Sequence, residues 1–144
     1  GKSQVVSICK KSQITSDNER LFIPGLKPEE IRNFFIPLTT NNNRNGEFFM
    51  QRDDLEYFLG YNFQGFTRPI TTRLLNPNML QIQIRVYVAH FYQRYCEGKI
   101  PPMQFALILQ NTFKIFEGST LQTIKKNLVK DMSSQDYLFK KILP

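Results

Sequence analysis

The chain has 144 residues, 41% of them hydrophobic and 22% charged, a composition that excludes intrinsic disorder and predicts one domain with a sizeable core. Its formal net charge of +7 favours an anionic partner, either nucleic acid or an acidic protein. No apolar run approaches the roughly 18 to 20 residues of a membrane span, and no signal peptide opens the chain, so no membrane partner is expected.

The positive charge is concentrated in the second part of the chain. Residues 1–56 contain eight basic and eight acidic residues, whereas residues 57–144 contain eleven basic and four acidic ones. Cys9 and Cys96 are the only cysteines and do not form a disulfide framework, which predicts an intracellular, reducing compartment, cytoplasmic or nuclear.

The amino end is polar and precedes the predicted domain. Residues 1–20 are expected to form a polar arm or an edge segment, and residues 21–144 a single helical domain. Because the chain begins with Gly1 and not with Met, we expect it to be a fragment of a larger protein.

Helix start signals recur along the domain. Pro28, followed by Glu29 and Glu30, predicts a first helix over residues 27–36, and the Asn-rich segment 39–46 predicts a loop. Apolar residues at spacings of three and four predict later helices. These lie at residues 79–97, at 102–116, which is expected to be the central core helix, at 119–132, and from Ser133 or Ser134 to the carboxyl end.

The segment 80–88 fits two periods. Ile82, Ile84, Val86 and Val88 alternate with polar residues, as in a half-buried strand. Leu80, Ile84 and Val88 also begin a helical stripe that no turn residue interrupts up to residue 97. We expect one long helix, and hence a mostly α, compact bundle of six or seven helices. A strand here would instead give an α+β, winged-helix-like domain.

Two short helices are predicted within residues 51–75. Asp53, Asp54 and Glu56 crowd the first turn of the first helix, which Gly60 should stop. Thr67 is the expected N-cap of the second, with Pro69 near its first position and Ile70, Leu74 and Leu75 facing inward.

This pair resembles the helix-turn-helix motif of DNA-binding proteins, although the loop between its two helices, residues 60–68, is longer than the usual three or four residues. The resemblance implies that the second helix enters the major groove, where Arg pairs with guanine edges and Thr meets phosphates or a thymine methyl group. The expected contacts are Arg68, Thr71, Thr72 and Arg73. Two core helices joined by a loop are the alternative.

Further basic residues extend the predicted interface. Arg85 lies in the acid-free stretch between Glu56 and Glu97, where an anion would be welcome. Lys125, Lys126 and Lys130 are predicted to lie outward on a late helix and to follow phosphates, or to form an ordinary solvated face.

Three aromatic residues of segment 60–68 have two interpretations. Tyr61, Phe63 and Phe66 precede Arg68 and suit stacking against the bases of a single strand. A loop folded back onto the core would show the same composition.

Signals for catalysis are weak. His90 is the only histidine, so a histidine-pair metal site is excluded, and Asp53, Asp54 and Glu56 are better explained as helix-start acids than as metal ligands. No phosphate-binding glycine loop or nucleophile elbow is present. We therefore expect no enzyme, no cofactor and no small-molecule substrate.

The sequence predicts a non-enzymatic nucleic-acid-binding domain, with DNA expected ahead of RNA. The alternative is a helical protein-interaction or assembly module of a larger replication, viral or regulatory complex, which would bind an acidic protein or itself.

Overall fold

A computed structural model of the chain describes residues 20–131, 139 and 141–143. The α-helices are α1 (Pro28–Phe35), α2 (Pro37–Thr40), α3 (Arg52–Asn62), α4 (Gln81–Phe91), α5 (Pro102–Thr112) and α6 (Leu121–Leu128). A π-helical turn, Tyr92–Cys96, continues α4, and a 3₁₀ turn, Lys114–Phe116, follows α5. The predicted arm, apart from Arg20, and the predicted last helix, apart from residues 139 and 141–143, lie outside the described residues.

The mostly α fold class is confirmed. Five of the helices have eight or more residues and α2 is a single turn, so the predicted count of six or seven was slightly off. Residues 20–131 contain no β-strand, only isolated bridges such as Leu21 with Phe63 and Leu75 with Phe113.

Helix α1 begins where its sequence signals predict. Pro28 occupies the first turn, and the Lys27 amide donates a 2.8 Å hydrogen bond to the Glu30 carboxylate. Phe34 and Phe35 are buried on the inner face, which fixes this short helix against the core.

Helix α4 replaces the alternative strand at residues 80–88, so the winged-helix-like alternative was wrong. The Leu80 amide donates to the Gln83 side chain at 2.9 Å, which closes the first turn of the helix. Val86, Tyr87 and Ala89 are fully buried. Because neighbours surround the helix on several sides, the alternating β-branched residues reflect burial and not a pleat.

Helices α3 and α4 each contain six buried residues, whereas α5, which lies within the predicted central core helix of residues 102–116, contains four. Tyr87 and Phe91 meet Phe34 at ring-centroid distances of 5.3 Å each. The Tyr87 hydroxyl donates a 2.6 Å hydrogen bond to the Phe34 carbonyl oxygen, and burial raises the pKa of this phenol well above its usual value. This contact joins α1 to α4.

Helix α3 runs through Gly60, so the predicted stop at this glycine was wrong. A Cβ atom at Gly60 would overlap the Thr67 carbonyl oxygen and lie 3.4 Å from Pro69 Cδ. The glycine therefore serves the close approach of residues 63–80, which we call the connector, to the buried side of α3.

The second helix of the predicted helix-turn-helix pair does not form, since the connector contains no helix. The Arg73 amide donates to the Tyr57 hydroxyl at 2.9 Å, and the Leu75 amide donates to the Thr112 carbonyl at 2.7 Å. A helix would have directed both amides to carbonyls within the connector. Contacts with α3 and α5 thus override the Thr67 and Pro69 start signals.

The burial of the connector also differs from the prediction. Leu75 is fully buried as expected, but Ile70 is 91% exposed and Leu74 is 41% exposed.

Among the described residues, no helix is long and apolar enough to reach across a bilayer.

Candidate nucleic-acid interface

A cleft of about 240 Å³ separates α4 from α6. Its polar lining comes from Gln81 and Arg85 on α4, and from Ser119, Thr123 and Asn127 on and just before α6. Each set is spaced by four residues, so each forms a row along one side of its helix. We call this site the α4–α6 cleft.

Two glutamines of the α4 segment hold the helices together in a parallel arrangement. Gln81 Nε2, at the start of α4, donates to Ser119 Oγ at 2.9 Å. Gln93 Nε2, in the π-helical turn, donates to the Leu128 and Lys130 carbonyls at 2.8 Å each. The cleft is therefore fixed at both ends by hydrogen bonds.

Arg85 is the only charged residue that lines the cleft among the described residues. Its Nε atom is buried and has no hydrogen-bond partner among the described residues. Within the described part of the chain, the ion pairs join Arg32 to Glu56 and Arg73 to Asp54 and do not involve Arg85. Its charge is thus not neutralised by a carboxylate of the described chain.

The floor of the cleft is apolar. Ile82 contributes to it from α4, and Phe116 and Ile124, both buried, complete it. An apolar floor lowers the local dielectric constant, so an ionic contact made here is stronger than one in open solvent.

The three predicted lysines do not share one surface. Lys126 and Lys130 are exposed, whereas Lys125 is half-buried and falls on the side of α6 that carries Leu121 and Leu128. Lys126 directly precedes Asn127 of the cleft and follows Thr123 by one helical turn. We call Arg85, Lys126 and Lys130 the basic surface.

The predicted groove-reading residues lie on the connector, on a non-helical backbone. Arg68, Thr71 and Thr72 are exposed and lack the rigid helical spacing that groove readout requires. The helix-turn-helix presentation of these residues was therefore wrong.

Arg73 is turned toward α3. Its Nη2 atom lies 2.9 Å from Asp54 Oδ1, and its guanidinium lies 5.0 Å from the centre of the Tyr57 ring. The Tyr57 ring in turn stacks on Tyr61 at 5.4 Å. Arg73 thus fastens the connector to α3 and is already neutralised.

The three aromatic residues of segment 60–68 follow the second interpretation, a loop folded back onto the core. Phe63 is fully buried, and Phe66 lies beneath the Arg32 guanidinium at 5.3 Å. The Tyr61 ring is occupied by Tyr57, and burial, together with the nearby Tyr57, raises the pKa of the Tyr61 phenol. These rings are not free to stack on bases.

Two of the three helix-start acids are paired with cations of the chain itself. Asp54 pairs with Arg73, and Glu56 pairs with Arg32. Among the described residues, no group of three or more His, Cys, Asp and Glu side chains is placed to hold a metal ion.

Cys96 is buried and reduced, and burial raises the pKa of its thiol to about 12, which suits packing and not nucleophilic chemistry.

Four residues of the cleft were not singled out from the sequence: Gln81, Ser119, Thr123 and Asn127. The signal that could have found them is the four-residue spacing of polar side chains within each helix. What this spacing lacks is the pairing of the helices, which depends on contacts across the fold such as Gln81 with Ser119.

Comparisons of the chain with protein-family models, with curated proteins and with solved structures give no match. The functional argument therefore depends on the geometry of the chain itself.

Proposed function

We propose that the protein is a non-enzymatic nucleic-acid-binding domain whose main contact is the basic surface of Arg85, Lys126 and Lys130. The observation that carries the proposal is the Arg85 guanidinium, which lines an open cleft without a carboxylate partner in the described chain. Arginine and lysine bind phosphates through charge-assisted hydrogen bonds.

The net charge of +7 and the excess of basic residues after residue 56 support the same class of partner. An excess of positive charge attracts a polyanion over the length of a Debye screening distance. Since Arg68, Thr71 and Thr72 are exposed but not helical, we assign them a supporting role beside the strand and not base readout. Lys125 and Arg73 are assigned no contact.

The interface makes no use of a major-groove helix, so we expect sequence-tolerant binding to phosphates. DNA is expected ahead of RNA, and a duplex or a single strand can satisfy a phosphate contact. Fluorescence anisotropy with labelled duplex DNA, single-stranded DNA and RNA, each at two salt concentrations, tests the class of partner.

A matched pair of variants tests the site. The triple substitution Arg85→Gln, Lys126→Gln and Lys130→Gln removes three charges from the basic surface. The control Lys27→Gln, Arg44→Gln and Arg52→Gln removes three charges from exposed residues outside the basic surface and the connector. We expect the first variant to lose roughly tenfold in affinity and about three units of salt slope, and the control to lose much less.

The contrary results are distinct. Equal losses would show that only total charge matters and would reject the site, whereas a larger loss in the control would move the interface to the surface of the control residues. No binding of wild-type protein to any polymer at low salt would reject the function.

A second candidate function is a protein-interaction or assembly module, favoured by Ile70, which is 91% exposed beside Arg68. An acidic partner with an apolar anchor pocket, or a second copy of the chain, would fit this pair. Sedimentation of wild-type protein and of Ile70→Ser tests self-association. Association that is lost in Ile70→Ser and insensitive to salt would favour this function over nucleic-acid binding.

A further inference from the structure

The α4–α6 cleft combines unused hydrogen-bond donors with a closed floor. Arg85 Nε is buried, and no residue in the described part of the chain serves as its acceptor. A buried donor without a partner is costly, and a guanidinium carries its donors in a planar fork that matches the oxygens of a phosphate. Arg85 lines the cleft, and no described residue accepts a hydrogen bond from its Nε atom.

Two hydroxyl groups on the α6 side add to these donors. Ser119 Oγ accepts from Gln81 Nε2 at 2.9 Å, and Thr123 Oγ1 accepts from Thr120 Oγ1 at 2.9 Å. A hydroxyl that already accepts one hydrogen bond still has its own hydrogen to donate. Ser119 and Thr123 can thus both donate to an oxygen that lies between them and Arg85.

The residues that line the cleft favour an anionic ligand. No Asp or Glu lines the cleft among the described residues, so an anion would meet no repelling carboxylate there. The cation of Arg85 over an apolar floor favours a compact, multiply charged oxyanion, which accepts several donors at once.

The volume selects for size. About 240 Å³ corresponds to the share of roughly eight water molecules in the liquid. This volume is below the range of about 300–1,000 Å³ that is typical of drug-sized ligands. It accommodates one phosphate group together with a few waters.

We propose that the α4–α6 cleft binds a single phosphate group, with Arg85 as its ionic partner and Ser119 and Thr123 as hydroxyl donors. The phosphate belongs either to a nucleic-acid strand or to a free phosphorylated small molecule. Only the first source rests on the proposed function. In that case the cleft anchors one phosphate while Lys126 and Lys130 attract its neighbours.

The test is a ¹H–¹⁵N NMR titration of the full chain with three probes: inorganic phosphate, a nucleoside monophosphate and a short single-stranded oligonucleotide. We expect inorganic phosphate to shift the amide signals of residues 81–85 and 119–127 in the wild-type protein. Arg85→Gln should weaken this binding roughly tenfold, because it removes the charged donor. Ser119→Ala with Thr123→Val should weaken it severalfold with the charge unchanged.

Arg52→Gln is the matched control, since it removes one charge from an exposed residue that neither lines the cleft nor belongs to the basic surface. It should change the affinity for inorganic phosphate less than twofold. Circular dichroism and the thermal midpoint confirm that each variant is folded, and the Ser119/Thr123 variant provides an independent check if Arg85→Gln proves unstable.

The outcomes separate the two proposals. Phosphate shifts at the cleft without oligonucleotide binding would support the cleft, identify a free phosphorylated molecule as its ligand and reject the nucleic-acid function. Oligonucleotide binding that is unchanged in Arg85→Gln and in the Ser119/Thr123 variant would overturn the cleft proposal while the nucleic-acid function stands. Absence of phosphate shifts at residues 81–85 and 119–127 in wild type would also overturn it.

Discussion

The connector and the α4–α6 cleft are built from the same residue types, arginine and threonine beside aromatic or apolar residues. They differ in whether the chain itself supplies partners for the arginine side chains. In the connector, Arg73 is neutralised by Asp54 and its amide is bound by the Tyr57 hydroxyl. In the cleft, the Nε atom of Arg85 has no hydrogen-bond partner within the described chain. A basic residue therefore points to an external anion only where the fold leaves its donors unused.

The difference arises from the neighbours that each segment meets. The connector folds against α3, whose first turn is acidic and whose Gly60 permits close approach. The cleft lies between α4, which has no acid in its first turn, and α6, which has none either. The local supply of carboxylates separates a structural arginine from a candidate binding arginine.

The strongest way to disturb the connector without touching the cleft is Gly60→Ala. The new Cβ would overlap the Thr67 carbonyl, and overpacking should lower the free energy of unfolding by about 1–3 kcal/mol, despite the better helix propensity of alanine. Urea denaturation measures the change. Gly118→Ala is the control, because no atom lies within 4 Å of its added Cβ, and equal stability of the two variants would disprove the close-approach role.

Two threonines sharpen the comparison. Thr112 Oγ1 is buried and accepts from Asn62 Nδ2 at 3.0 Å, so Thr112→Val should cost about 1–2 kcal/mol, because the Asn62 amide loses a buried acceptor. Thr123→Val, at an exposed position, should change stability by less than about 0.5 kcal/mol. Thermal and urea unfolding compare the variants. A costly Thr123→Val would mean that this residue is needed for folding and not reserved for a ligand.

The N-cap of α6 supports the cleft side. Thr120 Oγ1 accepts from the Thr123 amide at 3.2 Å, and Thr120→Ala should lower the free energy of unfolding by about 1 kcal/mol. Thr120→Ser, which keeps the hydroxyl, should restore most of it. If alanine and serine gave the same urea midpoint, the cap would not contribute to stability.

The smallest expected effect is at the ion pair of the connector. Arg73 and Asp54 are partly exposed, so a double-mutant cycle with Arg73→Gln and Asp54→Asn should give a coupling of about 0.2–1 kcal/mol. The coupling should shrink as salt is added. A coupling that is zero at low salt would leave the aromatic contact with Tyr57 as the reason for the Arg73 position.

Much of the fold could be predicted from the sequence, because its helices begin at strong local signals. Pro28 with Glu29 and Glu30, Pro102, and Thr120 all begin helices close to the predicted residues. Burial in the core resolved the ambiguity at residues 80–88, where two periods competed. Local patterns are reliable when tertiary contacts agree with them.

The candidate site was less predictable, for two physical reasons. Gly60 follows a helical pattern and was therefore interpreted as a stop signal. Its role is instead to allow the close approach of Thr67, a contact that no local pattern reveals. Thr67 and Pro69 looked like a helix start, but bonds from residues 73 and 75 to α3 and α5 took the amides that the helix needed. Arg85 was found from charge alone, while its cleft partners required the pairing of α4 with α6.

The labelling rate of buried Cys96, at the end of the π-helical turn, measures how often the core opens. Thiol reagents attack the thiolate, and a thiol with a pKa of about 12 that is also inaccessible reacts only in transiently opened molecules. In a Cys9→Ser background, the labelling rate of Cys96 should therefore report how often this region unfolds. A ligand that fastens α4 to α6 would slow the labelling in proportion to its occupancy.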